Sequence, residues 1–95
     1  MERLARIREM EQRLQRLLAW QAELERLLDA LPQVREDEEV LSGYLESPDW
    51  REDYEADEAG QLPPDLPRGV LSEDGIYNAL ETQRELTDAL RNEWE

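Results

Sequence analysis

Asp49, Asp53 and Asp57 recur at every fourth residue, which sets three carboxylates on one face of any helix that contains them. Two chemistries use such a cluster. Hard divalent cations take carboxylate oxygens, and paired carboxylates act as general acid and base once an apolar pocket separates their pKa values. Neither is completed by the neighbouring residues. Gly60 stands where a calcium loop would turn, but Leu66 occupies the place of the bidentate glutamate such a loop needs. Carboxylates on one straight helix cannot wrap an ion by themselves, so no metal and no other cofactor is expected. The serine hydroxyls are Ser42, Ser47 and Ser72, and the last two read better as helix caps. The chain has no His, Cys or Lys. That removes the common zinc ligands and neutral-pH base, the thiolate nucleophile and Schiff-base chemistry. The expectation is a protein that is not an enzyme and has no catalytic residues.

What remains is binding. The formal net charge is −14, and it is unevenly spread. Residues 1–31 hold six Arg and six acidic residues, so the whole excess lies in the rest of the chain. Such a field repels nucleic acid and anionic membranes and attracts a basic surface. Trp50 and Tyr54 share the acidic helix, four residues apart, and with Tyr44 they fit either a core or an exposed hot spot. Arg68, beside a tight turn, fits either a pin that holds the loop to a carboxylate or a contact to a partner. The candidate partner-binding set is Asp49, Trp50, Asp53, Tyr54, Asp57, Glu58 and Arg68. As a solvated surface, this face should tolerate Asp53 and Asp57 both changed to Asn without loss of fold. The partner expected is a basic or amphipathic protein. An acidic mimic that occupies a DNA- or RNA-binding site is the alternative, and a cation-binding accessory protein lies behind it.

The elements that position these residues are helical. Residues 2–31 carry Ile7, Met10, Leu14, Leu17, Leu24, Leu28 and Leu31 in alternating steps of three and four, with Gln21 in the one gap. This is a heptad seam, flanked by Leu4, Leu18, Trp20 and Leu27. It fits the wall of an intramolecular bundle or the seam of a homodimer. Pro32 is read as its end, because the residue before a proline is pushed out of the helical region. A second helix is read over 34–46. Ser47-Pro48-Asp49 opens a third, over 48–59, with Ser at the cap and Pro at the first helical position. Residues 60–71, with Pro63, Pro64 and Pro67, form a stiffened loop. Ser72-Glu73-Asp74 caps a last helix over 73–94, whose inner face is Ile76, Leu80, Leu86, Leu90 and Trp94. The fold expected is a single all-α domain over 1–95. It is a small helical bundle, with two long antiparallel terminal helices and two short helices and the Pro-rich loop between them. The N-terminal MERLARIREM has no apolar signal core and no apolar run approaches a membrane span, so a cytoplasmic protein is expected.

The segments ERLARIREMEQRL and SPDWREDYEADEAGQLPPDLPRGVLSEDGIYNAL resemble a bacterial family of small proteins, domain-of-unknown-function family 4298. The resemblance runs over nearly the whole chain, and the ordered elements DYEADE, LP and RGVLSED carry it. It implies a compact unit and brings no activity, cofactor or catalytic residue with it.

Overall fold

The computed structural model describes residues 2–94. The protein is all-α: α1 spans Arg3–Glu46, α2 Pro48–Glu58 and α3 Gly75–Trp94, with a single 3-10 turn at Gly69–Leu71 and no strand among the described residues. The chain divides into two compact units, Met1–Arg35 and Glu36–Glu95.

The two helices read on either side of Pro32 are one, because α1 continues through the proline. The proline still removes the N–H that would bond to the Leu28 carbonyl, a cost of about 3 kcal/mol in a helix interior. Leu28 and Pro32 are both exposed, so water reaches the freed carbonyl. Good helix formers on both sides (Leu27 and Leu28 before, Glu36, Glu38 and Glu39 after) let propagation carry across the defect. The border between the two units falls only three residues further on.

In the first unit the helix starts on Glu2, whose carboxylate accepts the Leu4 N–H at 2.8 Å and the Ala5 N–H at 3.1 Å, satisfying two of the orphan donors of the first turn. Its polar face is laced by Arg13–Glu9 at 2.9 Å and Arg26–Glu23, pairs one helical turn apart that add a few tenths of a kcal/mol each. The seam lies open. Leu4, Ile7, Met10, Leu14, Leu17, Leu18, Trp20, Leu27, Leu28 and Leu31 are between 36% and 57% exposed, and Leu24 is half-buried.

The second unit packs around the 3-10 turn, which touches both α2 and α3. Leu71 and Ile76 are its buried apolar residues, with Leu41, Leu45, Leu62 and Leu80 half-buried. Of the inner face read for the last helix, Ile76 and Leu80 turn inward, while Leu86, Leu90 and Trp94 are exposed.

Local sequence explains each junction of this unit. Ser47 closes one helix and opens the next: its hydroxyl donates to the Tyr44 carbonyl at 2.7 Å and accepts the Trp50 N–H at 3.4 Å. Pro48 follows at the first position of α2, where a missing N–H costs nothing. At the other end Gly60 takes φ +71°. Its N–H bonds to the Asp57 carbonyl and that of Gln61 to the Ala56 carbonyl, both at 3.0 Å, which is the Schellman pattern. Ser72 departs from the sequence reading. Its hydroxyl donates to the Gly69 carbonyl at 3.0 Å, and α3 starts three residues later at Gly75. A Cβ at Gly75 would overlap the Gly69 carbonyl oxygen, so this approach of turn to helix needs a glycine.

Candidate functional site

The candidate residues fall on α2 and the loop after it, all within the second unit. Four α2 side chains reach to four other segments. Trp50 donates its indole N–H to the Val70 carbonyl at 2.8 Å, tying α2 to the 3-10 turn. Tyr54 stacks on it, ring centroids 5.2 Å apart at 18°, and donates its hydroxyl to Glu73 Oε1 at 3.0 Å. Asp53 accepts the Tyr44 hydroxyl at 2.6 Å, which joins α2 to the end of α1. Asp57 Oδ1 meets Arg68 Nη1 at 3.2 Å.

Helical spacing causes this division of labour. Trp50, Asp53, Tyr54 and Asp57 stand three or four apart, so they share one stripe of α2. Asp49 and Glu58 are exposed, as are Arg51, Glu52, Asp53 and Glu55, whereas Asp57 is half-buried. The sequence grouped Asp49, Asp53 and Asp57 as one solvated face. Asp53 and Asp57 instead have partners within the chain, and exchanging both for Asn weakens two ties rather than removing two idle charges. Among the described residues, no group of three or more carboxylates is placed to hold a metal ion.

Arg68 holds the loop. One terminal nitrogen pairs with Asp57, and the other donates to the Pro63 carbonyl, five residues back. The planar guanidinium spans both acceptors at once, which a lysine ammonium would not match in geometry. Its Nε is buried without a hydrogen-bond partner, a cost that offsets part of the gain.

Carboxylates beside phenols raise the phenol pKa, because they accept a hydrogen bond from the neutral phenol and repel the phenolate. The hydrogen bond to Asp53 comes first for Tyr44, followed by desolvation and the charges of Asp53 and Asp49, and together they push it up to about 12. Tyr54 is shifted in the same direction, chiefly by its bond to Glu73 and then by the charge of Glu58. Both phenols therefore serve as neutral donors at physiological pH.

Sequence reasoning missed three members of this network. Val70 contributes only a backbone carbonyl, which no side-chain pattern reveals. Glu73 was read as part of a cap, yet it receives the Tyr54 hydroxyl. Pro63 was read as a stiffener, yet its carbonyl anchors Arg68.

A helical unit closed by Trp50, Tyr54 and Arg68 defines a small all-α module. The profile described as Domain of unknown function (DUF4298) matches residues 7–92, and the chain belongs to that family. No curated protein and no solved structure matches it. Among the described residues, no helix is long and apolar enough to cross a membrane.

Proposed function

We propose that the chain is a non-enzymatic protein-interaction module of the cytoplasm whose second unit receives a basic, amphipathic protein segment. One observation carries this reading: residues 36–95 hold nineteen acidic residues against four arginines, and the same unit leaves Leu86, Leu90 and Trp94 exposed at spacings of four along α3. Apolar side chains four apart form a stripe, and an amphipathic helix laid on it would bury that stripe while its basic residues met the acidic surroundings. The outward carboxylates of α2, Asp49 and Glu58 among them, extend the acidic surface. Trp50, Asp53, Tyr54, Asp57 and Arg68 brace it through their bonds within the chain.

The nucleic-acid mimic has less behind it. Two of the three regularly spaced aspartates are engaged inside the chain, and exposed apolar side chains add nothing to a copy of a phosphate array.

The test is a pull-down from native lysate with three baits: the wild type, a bait with Asp49→Asn and Glu58→Gln, and a bait with Leu90→Ser and Trp94→Ser. The expected result is one basic protein that the wild type holds at moderate salt and that the apolar variant loses, with weaker capture by the neutralised bait. Equal capture by all three baits would contradict the reading. Capture lost steeply with salt but kept by the Leu90, Trp94 variant would favour the mimic.

A further inference from the structure

The open seam of the first unit calls for an occupant, because soluble monomers rarely leave a contiguous apolar face of this extent in water. Ile7 to Leu31 covers about 36 Å of helix. Placing Ile7, Leu14, Gln21 and Leu28 at the a positions puts Met10, Leu17, Leu24 and Leu31 at d. Two features of that register then choose the occupant and its direction.

The first is Gln21, the one polar residue of the seam. In an antiparallel coiled coil an a residue packs against a d residue of the other strand. Gln21 would then face a methionine or leucine in every register, leaving a buried amide without a partner. In a parallel, in-register pair it faces its own copy, and two amides can bond to each other. A single polar a position used this way fixes register and strand number.

The second is charge. The flanking g positions begin with Arg6 and Arg13, and the e positions include Glu11 and Glu25. Parallel strands bring each g residue to the e residue five further on in the partner, so Arg6 meets Glu11 of the other copy, twice by symmetry. Antiparallel strands centred on the same seam bring Glu11 to Glu25 instead, also twice. Arg13 is paired with Glu9 within its own helix, whereas Arg6 and Glu11 form no ion pair within the chain among the described residues.

We propose that the first unit is a parallel, in-register dimerisation helix whose partner is a second copy of this chain, with Gln21 stacked on Gln21 and Arg6 paired to Glu11 across the interface. This is independent of what the second unit binds.

Sedimentation equilibrium near 50 μM, a concentration of ordinary handling (about micromolar affinities suffice to show it), should give twice the 11.2 kDa chain mass. A monomer, or any stoichiometry above two, overturns the proposal. The chain has no cysteine, so single substitutions report strand direction without interference. Ile7→Cys alone and Leu31→Cys alone, an a and a d position that would face each other only in antiparallel strands, should each give disulfide-linked dimers under mild oxidation. Failure of both single variants, with cross-linking only in their mixture, would show antiparallel strands and overturn it. Glu11→Arg should weaken association about tenfold, and adding Arg6→Glu should restore it to within about threefold, as close charge pairs do in swap experiments. Loss without recovery would remove the assigned pair.

Discussion

The Tyr44 hydroxyl, two residues from the end of α1, donates to Asp53 Oδ2 on α2 at 2.6 Å. With Ser47 capping both helices between them, this bond fixes the α1–α2 corner from the side-chain direction as the cap does from the backbone. It also sets a pH limit. The phenol is raised from 10.0 to about 12, so the folded chain holds this proton more tightly than the unfolded one. Stability from the bond is full below about pH 10 and drains away as pH rises through about 12. Exposure of the pair to solvent keeps the effect small. Alkaline absorbance titration should show a late phenol that moves back toward 10 in Asp53→Asn, and a wild-type Tyr44 that titrates with no delay would show the bond is not held in solution.

Trp50 ties α2 to the 3-10 turn through its indole N–H, while its ring stacks on Tyr54 of the same helix. It is half-buried, so Trp50→Ala should cost about 2 kcal/mol, below the 3–5 kcal/mol of a fully buried aromatic. Trp50→Phe keeps much of the stack and loses the bond to Val70, which should cost about 1 kcal/mol. Urea melts compare the two. Equal losses would mean that the indole N–H contributes most of what Trp50 does.

Three glycines should respond differently to alanine. Gly43 lies exposed in α1 with open space where a Cβ would go, so Gly43→Ala should stabilise by about 0.5–1 kcal/mol. Gly60, at positive φ in the Schellman turn, should lose about 1 kcal/mol. Gly75→Ala forces the Gly69 carbonyl to move and should lose about 1–3 kcal/mol. Thermal melts of the three variants give the order directly, and a neutral Gly75→Ala would show that the 3-10 turn shifts freely.

Arg68→Ala leaves the Pro63 carbonyl with the Leu66 N–H alone and removes the ion pair of Asp57. Amide exchange in residues 61–68 should speed up by about tenfold, while α3 stays protected, because only the local opening free energy falls. Arg68→Lys should restore little of this protection, since one ammonium replaces a two-pronged planar donor. Full restoration by Lys would reduce the role of Arg68 to its charge.

These residues also show how far the sequence could be read. Ser47-Pro48 and Gly60 announced the ends of α2 because caps act through their own backbone and nearest neighbours. The heptad spacing of α1 was visible for the same local reason. Pro32 misled, because the rule that stops a helix at proline weighs one lost hydrogen bond and not the strength of the helix on either side. Ser72 misled too: its hydroxyl could accept an N–H at the start of α3 or donate to the Gly69 carbonyl, and only the turn's geometry decides between them. Arg68 could be read as a pin without its partners being named. The partners of Asp53 and Asp57 were hidden because helical spacing says which residues share a face and not which groups of the rest of the chain that face meets.

α2 divides its carboxylates: Asp53 and Asp57 hold the second unit together, and Asp49 and Glu58 are left for the surface. Urea denaturation of two double variants tests this division most directly. Asp53→Asn with Asp57→Asn should lose about 1 kcal/mol, because the amide oxygens that remain accept from Tyr44 and Arg68 less strongly than charged carboxylates do. Asp49→Asn with Glu58→Gln should stay within about 0.5 kcal/mol of the wild type, or rise as self-repulsion eases. Equal behaviour of the two variants, or a larger loss in the outward pair, would contradict the account.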